Sequence, residues 1–127
     1  MNLTSCTLSR NTAARLGGGI ETASGTLNLS GCTLSGNSAA FRGGGIDALG
    51  GVYGCTLNLS GCTLTGNSAA TGGGIYDDSG TTVTVKDSSS ITGNTAPVGS
   101  GPDVLNQGVL DLDASSIIGI LDGKQPS

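Results

Sequence analysis

The sequence predicts an all-β fold, a right-handed single-stranded parallel β-helix (a solenoid) of about five rungs. Three observations predict it. First, one phrase recurs: Cys6-Thr7-Leu8-Ser9-Arg10-Asn11, Cys32-Thr33-Leu34-Ser35-Gly36-Asn37, Cys62-Thr63-Leu64-Thr65-Gly66-Asn67 and, more loosely, Ser89-Ser90-Ile91-Thr92-Gly93-Asn94. Its asparagines fall at 11, 37, 67 and 94, in steps of 26, 30 and 27 residues, and self-similarity at such a period marks a solenoid, propeller or array. Second, short stretches alternate apolar and polar, as in Leu27-Asn28-Leu29, Leu57-Asn58-Leu59, Val83-Thr84-Val85 and Leu110-Asp111-Leu112, the pattern of strands that hide one face. Third, no repeat holds ten residues with apolar spacing of three and four, which excludes helical solenoids.

Within each repeat the strands follow in order. The Leu-x-Leu pair comes first, then the Cys-x-Leu pair, then the residues around Gly17-Gly18-Gly19-Ile20, Gly43-Gly44-Gly45-Ile46 or Gly72-Gly73-Gly74-Ile75. Gly, Ser, Asn and Asp separate them, residues that turn a chain at little cost. The runs Ser38-Ala39-Ala40 and Ser68-Ala69-Ala70 have room for a single helical turn, which the glycines behind them would stop. A propeller blade needs more residues and four strands. One coil per repeat remains, each strand pairing in parallel with its copy roughly 4.8 Å away, a rod on the order of 24 Å long.

Such a coil stacks equal positions into columns. Leu3, Leu29, Leu59, Val85 and Leu112 are expected to form one interior column, Leu8, Leu34, Leu64, Ile91 and Ile117 a second, and Ile20, Ile46 and Ile75 a third. An aromatic content of 2% suits an interior too narrow for rings. Asn11, Asn37, Asn67 and Asn94 read as an internal ladder of stacked amides at a bend rather than as ligand-binding groups. The glycine triplets read as points of positive φ or close strand approach.

A length of 127 residues fits one domain, taken as residues 1–121, with a loose C-terminal tail at 122–127. Five basic residues against nine acidic ones give a net charge of −4, which leaves no footprint for nucleic acid and no polybasic patch for an anionic membrane. No apolar run is long enough to span a bilayer, so no membrane insertion by this segment is expected. The first residues lack the basic and apolar regions of a signal peptide.

Cys6, Cys32 and Cys62 share one column, which Ser89 and Ser115 continue, and Cys55 stands in a longer loop. With no histidine and no C-x-x-C pair, no metal or other cofactor is expected. A disulfide between neighbouring rungs is open on spacing; free thiols are the preferred reading.

The inventory for catalysis is thin, and no catalytic residue is assigned. Glu21, Asp47 and Asp77 follow the glycine–isoleucine motif in successive repeats, and as a stacked edge they would share calcium or act as acid and base on sugars. The preferred reading is of solvated loop acids. Outward Thr26, Asn28, Ser30, Thr56, Asn58, Ser60, Thr82 and Thr84 make a regular face of low charge, suited to carbohydrate or even to ice.

The pairing of Gly-Gly-Gly-Ile with Leu8-x-x-Asn11, Leu34-x-x-Asn37, Leu64-x-x-Asn67 and Ile91-x-x-Asn94 resembles the Gly-Gly-Ala-Ile and Phe-x-x-Asn motifs of the polymorphic outer-membrane protein repeat family. Leucine stands here where that family has phenylalanine. The resemblance covers most of residues 2–120 and implies an autotransporter-like passenger, a non-enzymatic structural or adhesive segment of a bacterial cell-surface or secreted protein. Surface glycans or host-cell receptors are the implied partners, and uncapped rungs add the expectation of end-to-end self-association. Met1 opens inside a repeat, and Gly101-Pro102-Asp103-Val104 replaces the glycine triplet near the other end, so the chain reads as an excerpt winding down towards a cap. The alternative is a carbohydrate-active β-helix, resembling polysaccharide lyases and hydrolases, with its acids among Glu21, Asp47, Asp77 and Asp78.

Overall fold

The computed structural model describes residues 1–127 and contains strands and turns but no helix. The first turn carries β1 (Asn2–Thr4), β2 (Thr7–Ser9), β3 (Thr12–Ala13) and β4 (Ile20–Thr22). The second carries β5 (Gly25–Ser30), β6 (Thr33–Ser35), β7 (Ser38–Ala39) and β8 (Ile46–Ala48). The third has β9 (Cys55–Ser60), β10 (Thr63–Thr65) and β11 (Ile75–Asp77), and the fourth β12 (Thr81–Lys86), β13 (Ser90–Ile91) and β14 (Val104–Asn106). β15 (Val109–Leu112), β16 (Ile117–Ile118) and β17 (Leu121–Gly123) finish the chain. Corresponding strands join three parallel sheets of five: sheet A (β1, β5, β9, β12, β15), sheet B (β2, β6, β10, β13, β16) and sheet C (β4, β8, β11, β14, β17). The chain is a parallel β-solenoid of about 4 turns.

The expected columns form where the repeat keeps its register. Leu3, Leu29, Leu59, Val85 and Leu112 stand opposite one another across sheet A. Ile20, Ile46 and Ile75 do so in sheet C, where Val104 and Leu121 prolong the column. Leu27, Leu57, Val83 and Leu110 add a further column in sheet A. The largest of these side chains in the middle turns are wholly withdrawn from solvent, each worth roughly 1.5–3 kcal/mol relative to exposure. No single layer closes this core. Each turn's leucines are covered by those above and below, which is why a lone repeat does not fold.

Two column assignments are corrected in the last turn. Ile118, not Ile117, stands opposite Ile91, and Ile117 is exposed. Ser116 Oγ, not that of Ser115, accepts the Ser89 N–H. Both corrections are a slip of one residue, because Ser89 and Ser116 lie 27 apart, the interval that also separates Asn67 from Asn94. A one-residue slip in a strand exchanges its inner and outer faces.

The alanine runs are extended rather than helical. β3 pairs with β7, and isolated bridges carry the same line on from Ser38 to Ser68 and from Ser68 to Thr95. Winding also passes residue 121: β17 reaches Gly123 beside β14, and the Ser127 N–H returns to the Leu110 carbonyl.

The asparagines form the internal ladder. The main-chain N–H and Nδ2 of Asn11 both donate to Asn37 Oδ1, those of Asn37 to Asn67 Oδ1 and those of Asn67 to Asn94 Oδ1, all at 2.9–3.0 Å. Nδ2 of Asn37, Asn67 and Asn94 also donates back to the carbonyls of Leu8, Leu34 and Leu64. Every corner thereby pairs polar groups that the apolar interior would otherwise strand. The glycines answer to the close stacking of the turns. A Cβ on Gly74 would lie 2.9 Å from Asn94 Nδ2 and closer still to the Asp103 carbonyl, and one on Gly44 would strike the carbonyls of Gly73 and Ser68. At the third glycine of each triplet a Cβ would meet the next turn's carbonyl first and its asparagine amide second, so glycine recurs there because the turns approach too closely for a side chain.

The cysteine column works the same way with softer atoms. The Cys6 N–H meets Cys32 Sγ at 3.4 Å, and the Cys62 N–H meets Ser89 Oγ at 3.0 Å. Cys32 and Cys62 thiols donate to the carbonyls of Leu3 and Leu29. Serine replaces cysteine because both carry one donor and one acceptor on a short stem. All four cysteines are free thiols.

Candidate functional site

The four acids considered for chemistry are neighbours in the fold but do not share one environment. Glu21 and Asp47 are partners across β4 and β8. Tyr76, not Asp77, takes the next place in that row, while Asp77 stands opposite Ala48 and Asn106. The stacked edge of Glu21, Asp47 and Asp77 therefore does not form, and the preferred reading of solvated loop acids is corrected for Asp47 and Asp77, which lie buried in β8 and β11. The third repeat places Tyr76 directly after Ile75, and that one position sends Asp77 to the core side of the strand.

Each carboxylate has its own surroundings. Glu21 is exposed. Asp47 is sealed from solvent, and its nearest cation, Arg42, lies 3.6 Å away with its guanidinium 4.6 Å from the Tyr76 ring centre. Burial raises the Asp47 carboxyl to about 6, against the opposing pull of Arg42. Asp77 is also fully buried, takes only a long 3.3 Å bond from the Gly108 N–H on Oδ2, and has no partner at Oδ1. Burial holds its carboxyl at about 7. Asp78 is a staple for the loop before β9. It accepts the N–H groups of Gly50, Gly51 and Gly80 at 2.8, 3.1 and 3.0 Å, together with the Thr81 hydroxyl. Desolvation pushes its carboxyl up, but these bonds outweigh it and leave the group below its ordinary value. Acid–base work on a sugar needs two carboxyls facing one bond, and these four face different surroundings.

The outward surfaces are more regular. On sheet A, Thr26, Thr56 and Thr82 form one row, and Asn2, Asn28 and Asn58 another. Asn28 Nδ2 donates to Asn2 Oδ1 at 2.7 Å, and Asn58 Nδ2 to Asn28 Oδ1 at 2.8 Å, a second ladder on the outside. Ser30 and Ser60 continue the face towards Lys86. Where this face reaches the last turn it dips into a shallow depression lined by Thr84, Lys86, Asp111, Asp113 and Ser127. Asp113 there is held at about 2, chiefly by the Asp87 N–H. Sheet B carries a similar surface that the sequence reading passed over: Thr7, Thr33, Thr63 and Ser90 in one row, Ser9, Ser35 and Thr65 in the next. Rows two residues apart on a strand share a face, so the recurring Thr-Leu-Ser and Thr-Leu-Thr triplets already contained that signal.

The structure also singles out Asp103, which sequence reasoning noted only as part of a replaced glycine triplet. Its Oδ1 accepts the Asn94 N–H and Nδ2, and its Oδ2 accepts the Ile120 N–H at 2.7 Å. It stands where the third glycine stands in earlier repeats, and its side chain enters the place of the asparagine that the last turn lacks.

No protein-family model, no curated protein and no solved structure matches the chain.

Proposed function

We propose that this solenoid is a non-enzymatic structural and adhesive segment of a bacterial cell-surface or secreted repeat protein, akin to the passenger repeats of the polymorphic outer-membrane type. The observation that carries the reading is the outer face of sheet A, where a threonine row and an asparagine row each run through three successive turns and the amides are fixed by their own ladder. Hydroxyls and amides held at strand spacing, roughly 4.8 Å, suit the hydroxyl-rich surface of a glycan. Their conformational freedom is already lost before binding, which lowers the cost of ordering them. The burial of Asp47 and Asp77 and the engagement of Asp78 by loop N–H groups favour this reading over a carbohydrate-active one.

A glycan array probed with the intact chain tests it. Binding to a defined set of surface glycans, weakened at least about tenfold by Thr56→Ala with Asn58→Ala, a loss of about 1.4 kcal/mol, is the expected result. Silence across the array would leave a scaffold alone. Cleavage of an acidic polysaccharide, abolished by Asp47→Ala or Asp77→Ala, would replace the reading with the enzymatic one.

A further inference from the structure

One corner of the solenoid is longer than its counterparts. Sheet C hands the chain back to sheet A through residues 23–24, 78–80 and 107–108 at three corners, but through residues 49–54 after the second turn. The added residues make a loop whose tip, Val52 and Tyr53, is 93% and 90% exposed. That loop is nevertheless pinned at its base. The Gly54 N–H closes it on the Gly50 carbonyl at 2.8 Å, and the Gly54 carbonyl accepts the N–H of Gly25, one turn earlier, at 3.3 Å. Asp78, one turn later, accepts the Gly50 and Gly51 N–H groups. Gly50 also lies so close to the Gly80 carbonyl that no Cβ would fit there. A single exposed apolar residue needs no explanation. A pair of them, held out on a stapled loop that the other corners do without, does.

We propose that this loop is a sugar-stacking platform at the edge of the sheet A face, with Tyr53 as its ring and a neutral hexose chain as its ligand. The proposal rests on the reading of sheet A as a glycan face and names the sugar that the face takes. Tyr53 stands three residues before Thr56, so no more than about 11 Å of chain separates it from the threonine row. A pyranose with equatorial hydroxyls presents apolar C–H faces above and below its ring, and hydroxyls around its rim. The tyrosine ring suits the first, and the threonine and asparagine rows suit the second. Tyrosine makes such a contact at low entropic cost, having only two side-chain torsions, and the stapled backbone lowers that cost again. Charge selects against an acidic sugar. Residues 43–85 contain no lysine or arginine. Arg42, just before them, is committed to Asp47 and Tyr76. Lys86 stands at the far end of β12, whose first residue, Thr81, is level with Cys55 at the loop's exit.

Isothermal titration with cellohexaose, and with a galacturonate oligomer of equal length, tests the parent chain, Tyr53→Ala, Tyr53→Phe, and Thr56→Ala combined with Asn58→Ala. Cellohexaose is expected to bind the parent, with an affinity that about 0.5 M salt leaves unchanged. Tyr53→Ala is expected to weaken it by about tenfold or more, and Tyr53→Phe by no more than about threefold, since the ring stays and only the hydroxyl goes. Tyr53 is exposed, so the alanine variant should melt with the parent, which separates lost contact from lost fold. Equal affinity of the parent and Tyr53→Ala overturns the platform, and leaves the sheet A face standing if the Thr56 and Asn58 changes still weaken binding. A parent that binds other glycans but not cellohexaose, or binds the galacturonate oligomer more tightly, overturns the proposal and spares the broader reading. Silence towards every glycan overturns both. Sedimentation of the parent as a dimer that Tyr53→Ala dissolves would show that the tip meets a second copy, and overturns the sugar platform as well.

Discussion

The main-chain N–H and Nδ2 of Asn94 converge on one oxygen of Asp103, at 3.0 and 2.9 Å, and this pair ends a ladder that begins at Asn11. Asp103→Ala strands two donors of Asn94 and the Ile120 N–H together, and is expected to destabilise by about 2–4 kcal/mol. Asp103→Asn keeps an acceptor for Asn94 but turns an amide towards Ile120, a loss of about 1–2 kcal/mol. Urea unfolding followed by far-UV circular dichroism measures both, and an alanine variant as stable as the parent would contradict the terminator role.

Two glycines in neighbouring loops separate steric from conformational cost. Gly44→Ala drives a Cβ into the carbonyls of Gly73 and Ser68 in the next turn and is expected to cost about 3 kcal/mol or more. Gly51 has φ +53 with open space around its Cβ, so Gly51→Ala carries only the left-handed penalty of about 1–2 kcal/mol. Comparable unfolding midpoints for the two variants would refute the close approach of the turns.

The first turn keeps a strained corner that later turns relieve. Arg10 has φ 56, while Gly36, Gly66 and Gly93 fill that place with φ 64, 68 and 69. Arg10→Gly is expected to stabilise by about 1 kcal/mol, since the left-handed penalty disappears while the exposed side chain gives up little. A thermal shift downwards would show that the arginine contributes contacts greater than its strain.

Stability should fall as pH rises through the range set by Asp77 and Asp47. Their folded-state values, about 7 and about 6, lie above the ordinary 3.8, so the folded chain binds more protons than the unfolded one between about pH 4 and 7. Their contribution is present in full below about pH 4 and is lost as pH climbs through those values. Asp77→Asn is expected to raise stability at pH 8 by on the order of 2 kcal/mol and to flatten the profile. Denaturant titrations at pH 5 and pH 8 decide it, and an unchanged slope would show that Asp77 is not held protonated.

Thiol accessibility follows the solenoid's ends. Burial raises the thiols of Cys55 and Cys62 above their usual range, and Cys32 is also buried, whereas Cys6 is partly open on the first turn. Ellman titration without reductant should find four reactive groups in denaturant and only Cys6 reacting promptly in the native chain. Fewer than four in denaturant would reveal a disulfide.

The residues that announced themselves were those whose role repeats. Leu34 and Leu64, Ile46 and Ile75, Asn37 and Asn67 each recur at one interval, so a period read from the chain already gives their partners. Reading failed where the period changed by one residue. Ile117 lay next to Ile118 with the same chemistry, and counting from the previous step chose the wrong neighbour. Asp77 followed an isoleucine as Asp47 did, with Tyr76 between, and the strand's alternation reversed its side.

The sequence by itself determined the parallel coil, the apolar columns and the asparagine ladder, because each needs only that like positions stack at strand spacing. Tertiary structure alone decided that Asp103 replaces an amide from a glycine's position, that Asp77 lies buried and underbonded, and that the candidate acids have unlike surroundings. Those outcomes depend on which side chain fills space left by a different turn, and space between turns exists only once the coil has closed.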